Sequence, residues 1–208
     1  MAATVPFAPG VEEEGVAHRT KARALPGEGG IWLFIAGDLS IFSQLFLTYF
    51  YYRAQQPALY SAAQQHLDQG LGMLNTALML TSSLFVALAV HAARRGMAGW
   101  PSRLYWLAAL CGVGFGVIKI FEYGAKISHG ITLTTNDMFM FYFILTGTHM
   151  LHVMMGIGVL LFLANYCRGT GDGRFTPAAL RTIECGSLFW HVVDLLWIIL
   201  FALLYLIR

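Results

Sequence analysis

Asp38, Lys119, Glu122, His149, His152, Glu184, His191 and Asp194 are the residues of this sequence that could do chemistry at an unusual depth, because most lie inside long apolar stretches. A carboxylate and an imidazole so placed can pass a proton, contact a lipid or close a hydrogen bond between helices. Lys119 and Glu122 are three apart, as are His149 and His152, and His191 and Asp194, so each pair shares one face of a helix. A charged group at the centre of a membrane costs about 2.5–3.5 kcal/mol on insertion scales, and it usually faces the interior with a partner. Lys119 and Glu122 are therefore expected as a structural ion pair. For His191 and Asp194, helix-bundle glue and proton or lipid handling both stay open. The double histidine raises the question of haem, but two rings three apart point the same way, and bis-histidine ligation draws one ring from each of two facing helices. Buried, hydrogen-bonding histidines are the expectation. Antiparallel threading brings Asp38, His152, His191 and Asp194 to mid-membrane, where one hydrogen-bonded cluster between the first, fourth and last helices is expected.

The elements that must hold these residues follow from composition. Of 208 residues 57% are hydrophobic and only 12% charged, with mean hydropathy +0.62. Soluble domains carry about 25% charged residues, so this composition excludes a soluble enzyme, a nucleic-acid binder and a disordered chain. A spanning helix needs about 20 apolar residues, and five runs qualify: residues 31–52, 71–92, 102–123, 138–166 and 186–207. None alternates with the period of two that a barrel strand shows. The reading is an all-α integral membrane protein, with a five-helix domain over residues 31–208 and a polar cytoplasmic tail over residues 1–30. That tail has no short apolar segment followed by a small-residue cleavage site.

Basic residues set the orientation. Nine fall on one side (Arg19, Lys21, Arg23, Arg94, Arg95, Arg103, Arg168, Arg174 and Arg181), against Arg53, Lys126 and Arg208 on the other. The N-terminus is expected inside and the C-terminus in the periplasm. Tyr49 to Tyr52, Trp100 and Trp106 read as lipid-facing or interfacial aromatics. Gly112, Gly114 and Gly116 suit close helix packing. Cys111, Cys167 and Cys185 lack the spacing of a disulfide framework or zinc site. There is no HExxH, GxSxG or phosphate-binding glycine loop, so no catalytic centre or metal site is expected.

The stretch Trp190-His191-Val192-Val193-Asp194-Leu195-Leu196-Trp197 resembles the WHxxDxxW signature on the last helix of haem-copper oxidase subunit III. Thr146-Gly147-Thr148-His149-Met150-Leu151-His152-Val153, followed by Gly156, resembles that family's TGxHxLHVxxG motif. Phe121-Glu122-Tyr123 is similar to its acidic-aromatic element, Glu184 stands seven residues before His191 as in the family, and Asp38 falls where an early helix carries an acid. Mitochondrial members have seven helices, whereas this chain resembles the five-helix form of the bacterial quinol oxidase subunit. The segment Gln55 to Gln69, Leu74-Asn75-Thr76 and the run Asn136 to Phe143 look closest to the NorE-type branch associated with nitric oxide reduction.

The resemblance implies a non-catalytic accessory subunit in a bacterial inner membrane. It would bind no cofactor itself and pack on a catalytic subunit that carries haem and copper or iron, in a nitric oxide reductase or a terminal oxidase. It would also hold phospholipid and support proton uptake. Asp38, Glu122, His149, His152, Glu184, Trp190, His191, Asp194 and Trp197 would form the family's intramembrane polar seam. Subunit III of a cytochrome c or quinol oxidase proper is the alternative within the family. A small proton or solute transporter and a haem-b anchor are the alternatives outside it.

Overall fold

The computed structural model describes residues 29–170 and 173–207. Most of the polar tail, with its three basic residues, lies outside the described residues. The described chain is helical and contains no strand. Six helices follow in order: α1 (Gly29–Gln55), α2 (Pro57–Gln64), α3 (Gln69–Arg94), α4 (Trp100–Ser128), α5 (Asp137–Gly169) and α6 (Pro177–Phe201), with a π turn at Ala202–Leu206. All but α2 are long and apolar enough to cross a membrane, α6 together with the π turn. This is the five-span architecture of an integral membrane protein.

Local chemistry explains the boundaries. Asp68 caps α3 by accepting from the amides of Gly70 and Leu71. Asn136 accepts from Phe139 N at the start of α5, and Thr176 from Ala179 N at the start of α6. Proline opens α2 and α6, where its missing N–H costs nothing. Gly130, at φ +74°, turns the chain out of α4 in a conformation that a side chain would strain.

Three features differ from the sequence reading. The expected loop between the first two spans holds α2, because Pro57 initiates a turn whose Tyr60, Ala63 and Gln64 face inward. The third expected run, α4, continues to Ser128, so Lys126 is a buried helical residue and not a free loop charge. The last helix starts nine residues early, at Pro177, which places Glu184, two residues ahead of the expected run, within it.

α4 packs on α3 and α5, and α6 lies across both α3 and α5, while α1 attaches to α5 and α6 alike and α2 to α5 and α1. The π turn widens the end of α6, with Ile207 N bonding to Ala202 O. Such a turn frees carbonyls that an apolar medium cannot satisfy. Gln64 of α2 donates its amide to Leu204 O and Ile207 O, and Gln69 donates to Tyr205 O at 2.7 Å. The short α2 thus closes the end of the bundle.

Candidate functional site: three interhelical polar groups

The expected single seam is three separate groups. The first gathers on α4, where the spacing of Lys119, Glu122 and Lys126 puts all three on one stripe. Lys119 Nζ donates to Glu122 Oε2 at 2.7 Å, with both side chains almost fully buried. Glu122 Oε1 accepts from Tyr142 Oη at 2.9 Å, from Tyr205 Oη at 2.7 Å and from Lys126 Nζ at 3.3 Å. Lys119 also donates to Tyr205 Oη at 2.9 Å, and its ammonium stands 4.9 Å from the Trp197 ring centroid. One carboxylate therefore holds two ammonium groups and two phenols, drawn from α4, α5 and the π turn. The sequence reading found Lys119 and Glu122 but missed Lys126, Tyr142 and Tyr205. The seven-residue Lys–Lys spacing was a usable signal for Lys126, whereas the tyrosines carried none.

The second group joins α1 to α5. Asp38 Oδ1 lies 2.8 Å from His152 Nε2, while His152 Nδ1 donates to Thr148 O, also at 2.8 Å. Both nitrogens of His152 are thereby committed, and Phe42 covers the ring edge-on.

The third group joins α3 to α6. His191 Nδ1 meets Ser83 Oγ at 2.7 Å. Arg94 grips Glu184 Oε1 through Nε and Nη2 at 2.9 and 2.8 Å, and Trp197 Nε1 donates to Thr76 Oγ1 at 3.1 Å. His191 therefore turns to α3 and away from Asp38 and His152, because α6 packs its middle turns against α3. Asp194 is buried, and its Oδ1 has no hydrogen-bond partner among the described residues.

His149 corrects another expectation. It is fully buried, yet neither ring nitrogen has a hydrogen-bond partner among the described residues. Its ring stacks on Trp197 at 5.5 Å and meets Phe115 edge-on at 5.7 Å, so it serves as an aromatic core residue. The two imidazoles are thus used differently, His149 through ring packing and His152 through contacts at both nitrogens.

Trp190 shows why particular glycines are needed. A Cβ on Gly156 would stand 2.7 Å from the Trp190 ring, and one on Gly112 would stand 2.9 Å from it. Gly114 and Gly116 would meet only ordinary contacts, so of the three glycines read as a packing set only Gly112 needs its lack of a side chain. Tyr49 is likewise corrected. It is fully buried against Tyr60 and Phe141 and donates to Leu203 O, whereas Tyr51, Tyr52, Trp100 and Trp106 are exposed.

A five-span helical membrane protein with charged groups buried between its helices defines the general class. Within it, residues 11–207 match the family described as cytochrome c oxidase subunit III, and the chain belongs to that family. It is 32% identical to the probable cytochrome c oxidase subunit 3 of Mycobacterium tuberculosis (strain ATCC 25618 / H37Rv), over 86% of this chain and 85% of the relative. It is 33% identical to quinol oxidase subunit 3 of Bacillus subtilis (strain 168), over 85% of each chain. The cytochrome c oxidase subunit 3 of Corynebacterium diphtheriae is 32% identical, over 86% of this chain and 87% of its own.

Proposed function

We propose that this chain is the accessory third subunit of a bacterial haem-copper oxidase that oxidises cytochrome c or quinol. The carrying observation is the family match over nearly the whole chain, with relatives named as cytochrome c and quinol oxidase subunits. The haem and copper belong to a catalytic partner subunit in the plasma membrane, and this chain packs against it, holds lipid at its surface and steadies the complex. The N-terminus lies in the cytoplasm and the C-terminus in the periplasm, as the basic residues favour. Glu122, the Asp38–His152 pair and Ser83–His191 act first as interhelical ties, since each joins at least two helices.

The oxidase reading is preferred to the NorE-type reading. The stretches that resemble that branch have structural roles of their own: Asn136 caps α5, Met138, Phe139, Phe141 and Tyr142 fill the core, and Asn75 is buried in α3.

The experiment is deletion of the gene from its host, followed by membrane assays with reduced cytochrome c, quinol and nitric oxide. Loss of oxygen uptake with one of the first two donors, with nitric oxide consumption unchanged, is expected. Loss of nitric oxide consumption alone would return the chain to the NorE-type branch.

A further inference from the structure

A cavity of about 260 Å³ forms a groove between α3 and α6. Ala87, Val90 and Arg94 line it from α3, and Glu184, Leu188 and His191 line it from α6. Each set recurs every three or four residues, so each is one face of its helix. Val90 and Leu188 make the middle of the groove apolar, whereas its two ends are polar.

Both ends can give or take a hydrogen. At one, His191 Nδ1 meets Ser83 Oγ at 2.7 Å, and Nε2 has no hydrogen-bond partner among the described residues. When Ser83 donates to Nδ1, Nε2 carries the hydrogen and can donate; when Ser83 accepts, Nε2 can accept. At the other end Arg94 uses Nε and Nη2 on Glu184 Oε1. Arg94 Nη1 then remains as a donor and Glu184 Oε2 as an acceptor, neither with a partner among the described residues. His191 stands at the middle of the last span, Pro177–Leu206, a depth that phospholipid headgroups do not reach. An ionisable side chain at that depth faces a partner or a substrate path. Glu184 and His191 are seven residues apart, which is about 10.5 Å along α6.

We propose that this groove binds the headgroup of a membrane quinone, in both its quinone and its quinol form. A para-quinone carries oxygens at opposite ends of a flat apolar ring, and each changes from carbonyl to hydroxyl on reduction. That demands a donor and an acceptor at both ends, which the His191–Ser83 and Arg94–Glu184 pairs supply. The ring with one hydrogen bond of about 2.9 Å at each end matches the spacing of the two pairs. Val90 and Leu188 suit its faces, and exposed Leu195, one turn beyond His191, leads the apolar tail into the membrane. The site is built from this chain's residues alone, so its loss would leave the assignment to an oxidase standing.

The test uses the full chain purified in neutral detergent, with native mass spectrometry as the readout. The probes are decylubiquinone, decylubiquinol and phenyldecane, which has the ring and tail without the oxygens. Both oxygenated probes should be retained about tenfold more than phenyldecane, the effect of two net hydrogen bonds. His191→Leu should remove most of that preference. Ala87→Trp fills the groove from an exposed position, leaves both polar ends in place and should abolish retention of either form. The native complex should likewise yield one equivalent of quinone more than its Ala87→Trp counterpart. Equal retention of phenyldecane would mean an apolar groove without headgroup recognition and overturn the proposal. Unchanged quinone retention by a folded Ala87→Trp chain would place the ligand elsewhere and overturn it, even if His191→Leu fails to fold. Equal quinone in the two native complexes would mean that a partner subunit covers the groove, and would overturn it as well.

Discussion

Tyr205, on the π turn that ends the chain's last span, donates to Glu122 Oε1 on α4 at 2.7 Å across 83 residues of sequence. The same hydroxyl accepts from Lys119, so the last turn is fastened to both members of a buried ion pair. Gln64 and Gln69 hold the widened backbone from the other side. The C-terminal end of the bundle is therefore assembled from α2, α3, α4 and the π turn, and the carboxylate is its centre.

Glu122→Gln removes the charge that two buried ammonium groups share. Breaking a buried pair by removing one partner costs about 3–5 kcal/mol. The variant chain should accumulate in membranes at a small fraction of the normal level, measured by immunoblot. Adding Lys119→Met should restore much of that level, since one unpaired cation is gone. Tyr205→Phe should cost about 1–3 kcal/mol through the groups it leaves unsatisfied, read as a lowered unfolding temperature.

Gly156→Val should destabilise by about 1–3 kcal/mol, the usual cost of overpacking a filled core. The Trp190 ring cannot retreat from the new side chain, because Gly112 lies in contact with it as well. Gly114→Ala is the control and should leave the unfolding temperature unchanged, since its Cβ meets only Leu78 at 3.6 Å. Comparing the two melting curves distinguishes close approach from mere glycine content.

Length and hydropathy made the five spans legible, because a run of apolar residues longer than a turn-bounded strand has one stable state in a membrane. The Lys119–Glu122 pairing was legible from its three-residue spacing. Partnership between helices was not, since spacing along one helix says nothing of its rotation about its own axis. His191 and Asp38 were therefore expected together, and the structure gives them to Ser83 and His152 respectively. Tyr49 read as a lipid-facing aromatic because its neighbours are tyrosines, yet its ring falls on the face of α1 that meets α5. The π turn was also hidden, because its sequence Ala202–Leu206 is an ordinary apolar helix sequence whose widening depends on distant glutamines.

Tyr60 lies on α2, outside the spans, and burial pushes its phenol above the ordinary value of 10.0. The unfolded phenol ionises near that ordinary value, while the folded one stays neutral, so stability falls as pH rises beyond about 10. Its hydroxyl is buried without a hydrogen-bond partner among the described residues. Tyr60→Phe should thus be neutral or slightly stabilising at pH 7 and should lessen the alkaline loss. Unfolding curves between neutral and alkaline pH check both.

Reporter fusions test the proposed orientation. Fusions after Arg95 and Arg174 should report cytoplasm, and fusions after Gln65 and at Arg208 should report periplasm. The burial of Lys126 removes one charge from the sparse side, so the bias of basic residues is stronger than the sequence count alone. A cytoplasmic Arg208 fusion would reverse the assignment.

The central claim, an accessory subunit without its own redox centre, is tested most directly by one spectrum. The chain, tagged and isolated from its native membranes, should carry a haem absorbance in the reduced-minus-oxidised difference spectrum, with a larger copurifying subunit. The same chain produced alone should show none. Haem bound stoichiometrically by the isolated chain, or a native preparation free of both haem and partner, would contradict the account.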